Sequence, residues 1–215
     1  MNYFEFYNIP VIFKVDNATL KDIFYANSKK YHPDFYTLES DEKQAEILEL
    51  STLNNEAYKT LKDFDKRMKY ILDQKGIMKE EGQNKIPQSF LMDMMEINEA
   101  LMELEFDYDE VKKNEALNQL KNQENSIYEE VDKIIENYQD DNTNEEELKA
   151  VKDYYLKKRY LLRIRENMDK FASLWSSSKF EVWSSKVSSY FILKLIRKTS
   201  NFSNINFKLI NYLDL

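Results

Sequence analysis

One histidine stands in the 215 residues, His32, followed directly by Pro33 and Asp34. An imidazole close to a carboxylate could move a proton, so general acid–base chemistry is the first candidate. The rest of the chain supplies few partners for it. There is no cysteine, which removes disulfides, thiolate metal sites and a thiol nucleophile, and a single histidine removes a multi-histidine metal site. Two glycines are too few for a Gly-rich phosphate loop. Carboxylates, lysines, tyrosines and His32 remain, and the acids are dispersed, so an enzyme ranks low and neither cofactor nor metal is expected. Recognition chemistry fits better. Pro33 fixes a backbone angle, and Asp34 offers an acceptor to an arginine of a partner in a charge-assisted contact. Lys21, Lys29 and Lys30 precede the tripeptide and add positive potential, suited either to an acidic partner surface or to a solvated helix face. His32 itself reads as a helix-terminating residue that caps a carbonyl or as part of a recognised tripeptide.

A second cluster is apolar and acidic. Phe90, Met94, Ile97, Leu101 and Leu104 recur at helical spacing and form one inward seam. The adjacent stripes then expose Leu91, Met92, Met95 and Met102, interleaved with Glu96, Glu99 and Glu103. Methionine-rich apolar surface rimmed by acids suits an adaptable protein-binding patch. Packing against another helix is the competing reading of the same pattern.

These residues need elements to hold them. Asp16 is placed to cap a helix whose face is Leu20, Ile23, Phe24, Asn27 and Tyr31, and Pro33 stops it at His32. A polar loop, Asp34 to Ser40, leads to a second long helix capped by Ser40, with Ile47, Leu50, Asn54, Ala57 and Leu61 inward. The spacing predicts an antiparallel hairpin, then a shorter helix over about 65–75 that closes at Gly76. Residues 77–86 form a linker, with Pro87 in the first turn of the next helix. Beyond the Phe90 to Leu104 seam, a second runs through Leu117, Leu120, Ile127, Val131, Ile134 and Tyr138. A third takes Ala150, Tyr154, Leu161, Ile164, Met168 and Phe171, preceded by a capping box at Thr143 and Glu146. Three amphipathic helices bury their stripes as a bundle.

The chain holds 31 basic and 39 acidic side chains, a net charge of −8, which argues against general nucleic-acid affinity. The balance is uneven: residues 173–215 carry six basic and two acidic side chains, ten serines and both tryptophans. No apolar stretch approaches the roughly 18 residues of a bilayer-spanning helix, and no basic leader opens the chain. No membrane association and a cytoplasmic location are expected.

At His32-Pro33-Asp34, set between two amphipathic helices, the sequence resembles a J domain. The resemblance continues through Leu53-Asn54-Asn55-Glu56-Ala57-Tyr58-Lys59-Thr60-Leu61 and Arg67-Met68-Lys69-Tyr70. With the Tyr3-Phe4 opening, Phe90-Leu91-Met92 and Glu96 to Glu103, residues 2–172 are similar to the HscB family, J-type co-chaperones of iron-sulfur cluster assembly. That implies an all-α fold: a J domain over 1–76, the linker 77–86 and a C-terminal three-helix bundle over 87–172 that binds the client. It implies a co-chaperone and no enzyme. His32, Pro33, Asp34, Lys21, Lys29 and Lys30 would engage a DnaK/HscA-type ATPase chaperone. Leu91, Met92, Met95, Glu96, Glu99, Glu103 and Tyr160 would bind an IscU-like iron-sulfur scaffold. A J protein with another client, or a helical adaptor with a vestigial loop, are the alternatives.

Three features depart from the family pattern. Phe35 follows the tripeptide where many J domains have lysine. Phe64 stands where a proline is common. The tail from Ser173 has no counterpart, and its composition fits a basic helical extension, a disordered segment or translation past the usual end.

Overall fold

A computed structural model describes residues 1–80, 82–141 and 144–176, without the side chains of 106 and 171–176. Among them all regular elements are helical. They are α1 (Tyr3–Tyr7), α2 (Asn17–Lys30), a 3-10 turn (Pro33–Tyr36), α3 (Asp41–Leu61) and α4 (Phe64–Gln74), then α5 (Gln88–Asp93), α6 (Met95–Phe106), α7 (Glu110–Glu129), α8 (Asp132–Asn137) and α9 (Glu145–Ser176). The chain groups into two compact units, Met1–Pro87 with Asn125–Lys158, and Gln88–Glu124 with the described residues from Arg159 on. The sequence division at 77–86 follows chain order, whereas the units follow proximity. They differ in where 125–158 belongs.

In the first unit the caps act where the sequence places them. Asp16 accepts from the backbone N–H groups of Ala18 and Thr19, and Ser40 from that of Lys43. Such caps each contribute about 1 kcal/mol. Helices α2 and α3 run antiparallel: Phe24 stacks on Tyr58 with ring centroids 4.3 Å apart, and four residues later Ser28 meets Asn54, four residues earlier. Asn54 is 1% exposed, an inward residue as expected, and it needs partners because an unpaired buried amide costs about 1–3 kcal/mol. Its Nδ2 donates to the Phe24 carbonyl (3.1 Å) and Ser28 Oγ (3.0 Å), while Tyr7 Oη donates to its Oδ1 (3.0 Å). That phenol belongs to α1, a helix the sequence shows only as an aromatic cluster. Asn2 opens α1 with a reciprocal capping box to Glu5, and Asn8 ends it in the left-handed region at φ 52°.

Helix α4 starts one residue earlier than expected because Asp63, in extended conformation, accepts from Lys66 N–H and acts as its cap. Gly76 closes it at φ 67°, where a side chain would be strained. Arg67 is 4% exposed and donates through Nε to the Phe13 carbonyl (2.8 Å) and through Nη1 to that of Leu61, tying α4 to the connection between α1 and α2 and to the last residue of α3. Burial lowers its pKa from the usual arginine value. Residues 125–158 add Tyr138 against Phe13, with ring centroids 4.5 Å apart, and a Lys158–Asp65 ion pair.

Pro87 lies one position before α5, not within its first turn. The single expected Phe90 to Leu104 helix is broken at Met94, a turn residue, although the N–H of Met94 still reaches the Phe90 carbonyl at 3.1 Å. The second seam also needs correction. Ala116 is buried and Leu117 half-buried, and Ile135 replaces Ile134 inside. A break at residues 130 and 131 restarts the helix as α8 and shifts its phase. In the third seam Leu148 and Val151 are buried and Ala150 half-buried. Thr143 lies outside the described residues; the N–H of Glu147 is capped by Asn144 Oδ1 at 2.8 Å. The side chain of Phe171 and the tail beyond Ser176 also lie outside them.

Candidate functional site

The His-Pro-Asp tripeptide is a turn built by its own side chain. Helix α2 ends at Lys30, with the Tyr31 N–H bonded to the Asn27 carbonyl at 2.8 Å, and His32 is extended at φ −74°, ψ 122°. Pro33 requires that conformation of its predecessor and then occupies the first position of the 3-10 turn. His32 caps no carbonyl. Its Nδ1 accepts the Asp34 N–H at 3.3 Å, so it caps the turn that follows rather than the helix that precedes. The Asp34 carboxylate is 82% exposed with an oxygen 3.8 Å from Nδ1, an acceptor presented to solvent.

The structure places Lys21, Lys29 and Lys30 on the exposed surface of α2, with Lys21 over the Tyr25 ring at 5.9 Å and Lys30 over the Tyr31 ring at 4.9 Å. Aromatic faces of this kind hold ammonium groups by about 0.5–1 kcal/mol at exposed sites. The loop expected to be polar is not: Phe35 is 68% and Leu38 100% exposed. Only their apolar type within a charged loop could have signalled this.

The second cluster lies on α5 and α6. Phe90, Met94, Ile97 and Leu104 are buried and Leu101 half-buried, as the seam requires. Met92 is 66% and Met95 52% exposed, and Glu96, Glu99 and Glu103 are exposed. Met92 projects from α5 and Met95, Glu96 and Glu99 from the first turns of α6, where spacing of three and four keeps the last three on one side of that helix. Leu91 and Met102 are half-buried and contribute edges only. Glu103 already pairs with Lys112 at 2.8 Å and raises the pKa of that lysine.

Tyr160 is not on this surface. It is 6% exposed, its ring meets Phe90 edge-on at 5.8 Å, and its Oη accepts from Asn98 Nδ2 at 2.8 Å. Burial raises the pKa of the phenol. Asn98, which the sequence did not single out, fastens α6 to α9 directly beneath the exposed face. Its neighbour Glu99 is outward, so only its place on the inner edge of the helix could have pointed to it.

Among the described residues no group of three or more His, Cys, Asp or Glu side chains could hold a metal ion, and no helix is long and apolar enough to cross a membrane. Both clusters are surfaces, one a charged turn with exposed apolar side chains beside it, the other apolar and acid-rimmed.

A His-Pro-Asp turn between antiparallel helices, followed by a helical C-terminal part, defines a J-domain co-chaperone. Residues 86–169 match the HSCB C-terminal oligomerisation domain. The co-chaperone protein HscB homolog of Haemophilus ducreyi is 33% identical over 140 residues, 64% of this chain and 81% of its own. The chain belongs to the HscB co-chaperone family. The HscB homolog of Vibrio cholerae strain M66-2 is 38% identical over 102 residues, 47% of this chain, and the match spans 60% of that relative's length. In fold, the crystal structure of human co-chaperone protein HscB has a TM-score of 0.62 at 27% identity, covering 79% of this chain and 81% of that one. Chaperone HscB from Vibrio cholerae has a TM-score of 0.60 at 24% identity, covering 80% of this chain and 98% of that one.

Proposed function

We propose that this chain stimulates ATP hydrolysis by a DnaK/HscA-type chaperone through the His32-Pro33-Asp34 turn and delivers to it an IscU-like iron-sulfur scaffold held on α5 and α6. It works in the cytoplasm and catalyses no reaction itself. The observation that carries the reading is the turn's construction. His32 uses its side chain to fix the backbone of Asp34, and the carboxylate that results is held out to solvent and rigid in its backbone. Preorganisation of this kind lowers the ordering cost of a contact with a partner's arginine. The lysines of α2 extend the contact to an acidic surface, and they act mainly on the rate and salt dependence of docking. No atom of the turn takes part in hydrolysis. The turn biases the chaperone toward its hydrolytically competent state, and the shift can be no larger than the turn's preference for that state.

For the client, Met92 and Met95 supply an adaptable apolar centre, and Glu96 and Glu99 supply a charged rim that selects a basic counterpart. Leu91 and Glu103 border it, and Tyr160 supports it from below. The J domain over 1–76 and the bundle over 87–172 divide these tasks. Steady-state ATP hydrolysis by the chaperone, measured with full-length protein and with scaffold added, tests both halves. Stimulation is expected from the wild type and not from His32→Gln, and scaffold should enhance it with the wild type but not with Glu96→Lys, Glu99→Lys. Stimulation by His32→Gln equal to wild type would remove the turn from the mechanism.

A further inference from the structure

The turn carrying His32 and Asp34 is tied from behind and open in front. Tyr36 Oη donates to the Lys30 carbonyl at 2.8 Å, which closes the turn on α2. Gln44 Nε2 donates to the carbonyls of Glu39 (2.9 Å) and Thr37 (3.4 Å), which closes it on α3. The Phe35 N–H reaches the His32 carbonyl at 3.1 Å. On this fixed backbone the Phe35 side chain is left in solvent, 68% exposed, with its ring centroid 5.5 Å from the His32 imidazole and inclined to it by 50°.

A single exposed apolar residue needs no explanation, but this one has a particular setting. It is the large aromatic ring next to His32, one residue from the exposed Asp34 carboxylate, and the lysines flanking the turn on α2 are exposed as well. Rigid aromatic side chains on ordered backbone are the residues that dominate interface energetics, because little conformational freedom remains to be lost on docking. We propose that Phe35 is an apolar anchor that seats in a hydrophobic pocket of the ATPase chaperone, beside the acidic surface met by Lys29 and Lys30, and helps to determine which chaperone the turn engages. The inference rests on the reading of the turn given above. The anchor adds affinity that does not depend on salt, whereas the lysines add affinity that does.

The test is ATP hydrolysis by the DnaK-type chaperone of the same cell, titrated with full-length co-chaperone at low and high salt. Phe35→Ala should raise the half-maximal concentration about tenfold or more, the order that burying one large apolar side chain supplies, with maximal stimulation and salt dependence kept. Phe35→Leu should restore most of the loss. Because the ring is exposed, both variants should unfold thermally as the wild type does. A half-maximal concentration for Phe35→Ala within twofold of wild type, while His32→Gln is inactive, overturns the anchor and leaves the docking turn intact. Absence of stimulation by the wild type overturns both.

Discussion

Asn98 Nδ2 donates to the phenol oxygen of Tyr160 at 2.8 Å across 62 residues of sequence, from α6, the helix that also carries the exposed Met95, Glu96 and Glu99. The bond makes the surface of α6 depend on the buried side of α9. Removing the hydroxyl separates support from contact. Tyr160→Phe keeps the edge-on packing with Phe90 and leaves the Asn98 amide short of a partner, at a cost of about 0.5–1.5 kcal/mol in urea unfolding, while scaffold Kd rises by less than about threefold. Tyr160→Ala opens a cavity and should cost about 3–5 kcal/mol. Unchanged stability of Tyr160→Phe with lost scaffold binding would mean that the phenol itself touches the client.

Charge reversal on the exposed face should behave differently. Glu96→Lys with Glu99→Lys touches no buried group, so the midpoint of unfolding should stay within about 0.5 kcal/mol of wild type. Scaffold Kd should rise at least about tenfold at low salt, and the loss should shrink as salt screens the repulsion. Replacing Met92 and Met95 by serine should weaken binding equally at all salt concentrations. Isothermal titration at two ionic strengths distinguishes the two effects. A salt-independent loss from the glutamate variant would remove the charged rim from the mechanism.

Tyr7 makes the stability of the first unit sensitive to alkali. Burial is the main cause that raises its pKa far above the ordinary 10.0, and Tyr138 is raised in the same way, by burial and then by its bond to Asp140. A phenol held neutral in the folded state contributes stability that is complete below the unfolded value and is lost as pH climbs toward the folded one. Denaturant midpoints should therefore be flat across neutral pH and fall above about pH 10. Tyr7→Phe should cost about 1–2 kcal/mol at neutral pH, because the buried Asn54 Oδ1 loses its donor, and should make the alkaline decline shallower. An alkaline limb as steep as that of the wild type would place the titration elsewhere.

The contrast between Asn54 and Ile134 shows what the sequence made legible. Asn54 sits in a continuous 3-4 rhythm, so its inward position follows from periodicity even though its partners do not. Ile134 lies beyond a break at residues 130 and 131 that no proline or glycine marks, so the same counting put the wrong residue inside. The tripeptide was legible because type and spacing together are specific. The apolar character of Phe35, by contrast, became informative only once the hydrogen bonds of Tyr36 and Gln44 showed which way the turn faces. Tyr160 came as a scaffold contact from the resemblance alone, which carries no information on burial, and the structure puts it 6% exposed. Helix α1 was missed because five residues are too few for a period to emerge.

Phe64 occupies a position where the family commonly has proline, and the structure indicates what the aromatic ring adds. It is the first residue of α4, whose N–H has no intrahelical partner to lose, and Asp63 before it is already extended at φ −95°, ψ 122°, as a residue preceding proline must be. Phe64→Pro is therefore compatible with the backbone and restricts the unfolded chain, a gain of about 0.4–1 kcal/mol. Against this, the ring lies 5.7 Å from the Arg67 guanidinium and 5.3 Å from the Lys158 ammonium, and two such contacts contribute about 1–2 kcal/mol. The sum favours phenylalanine by about 1 kcal/mol or less, read as a small drop in urea midpoint for Phe64→Pro. The coupling is the sharper observable. Lys158→Met removes both the ring contact and the ion pair with Asp65, so it should cost more in the wild type than in the Phe64→Pro background, by about 0.5–1 kcal/mol in a double-mutant cycle. Strict additivity would mean that the ring does not hold the lysine, and that the pair with Asp65 accounts for the whole effect.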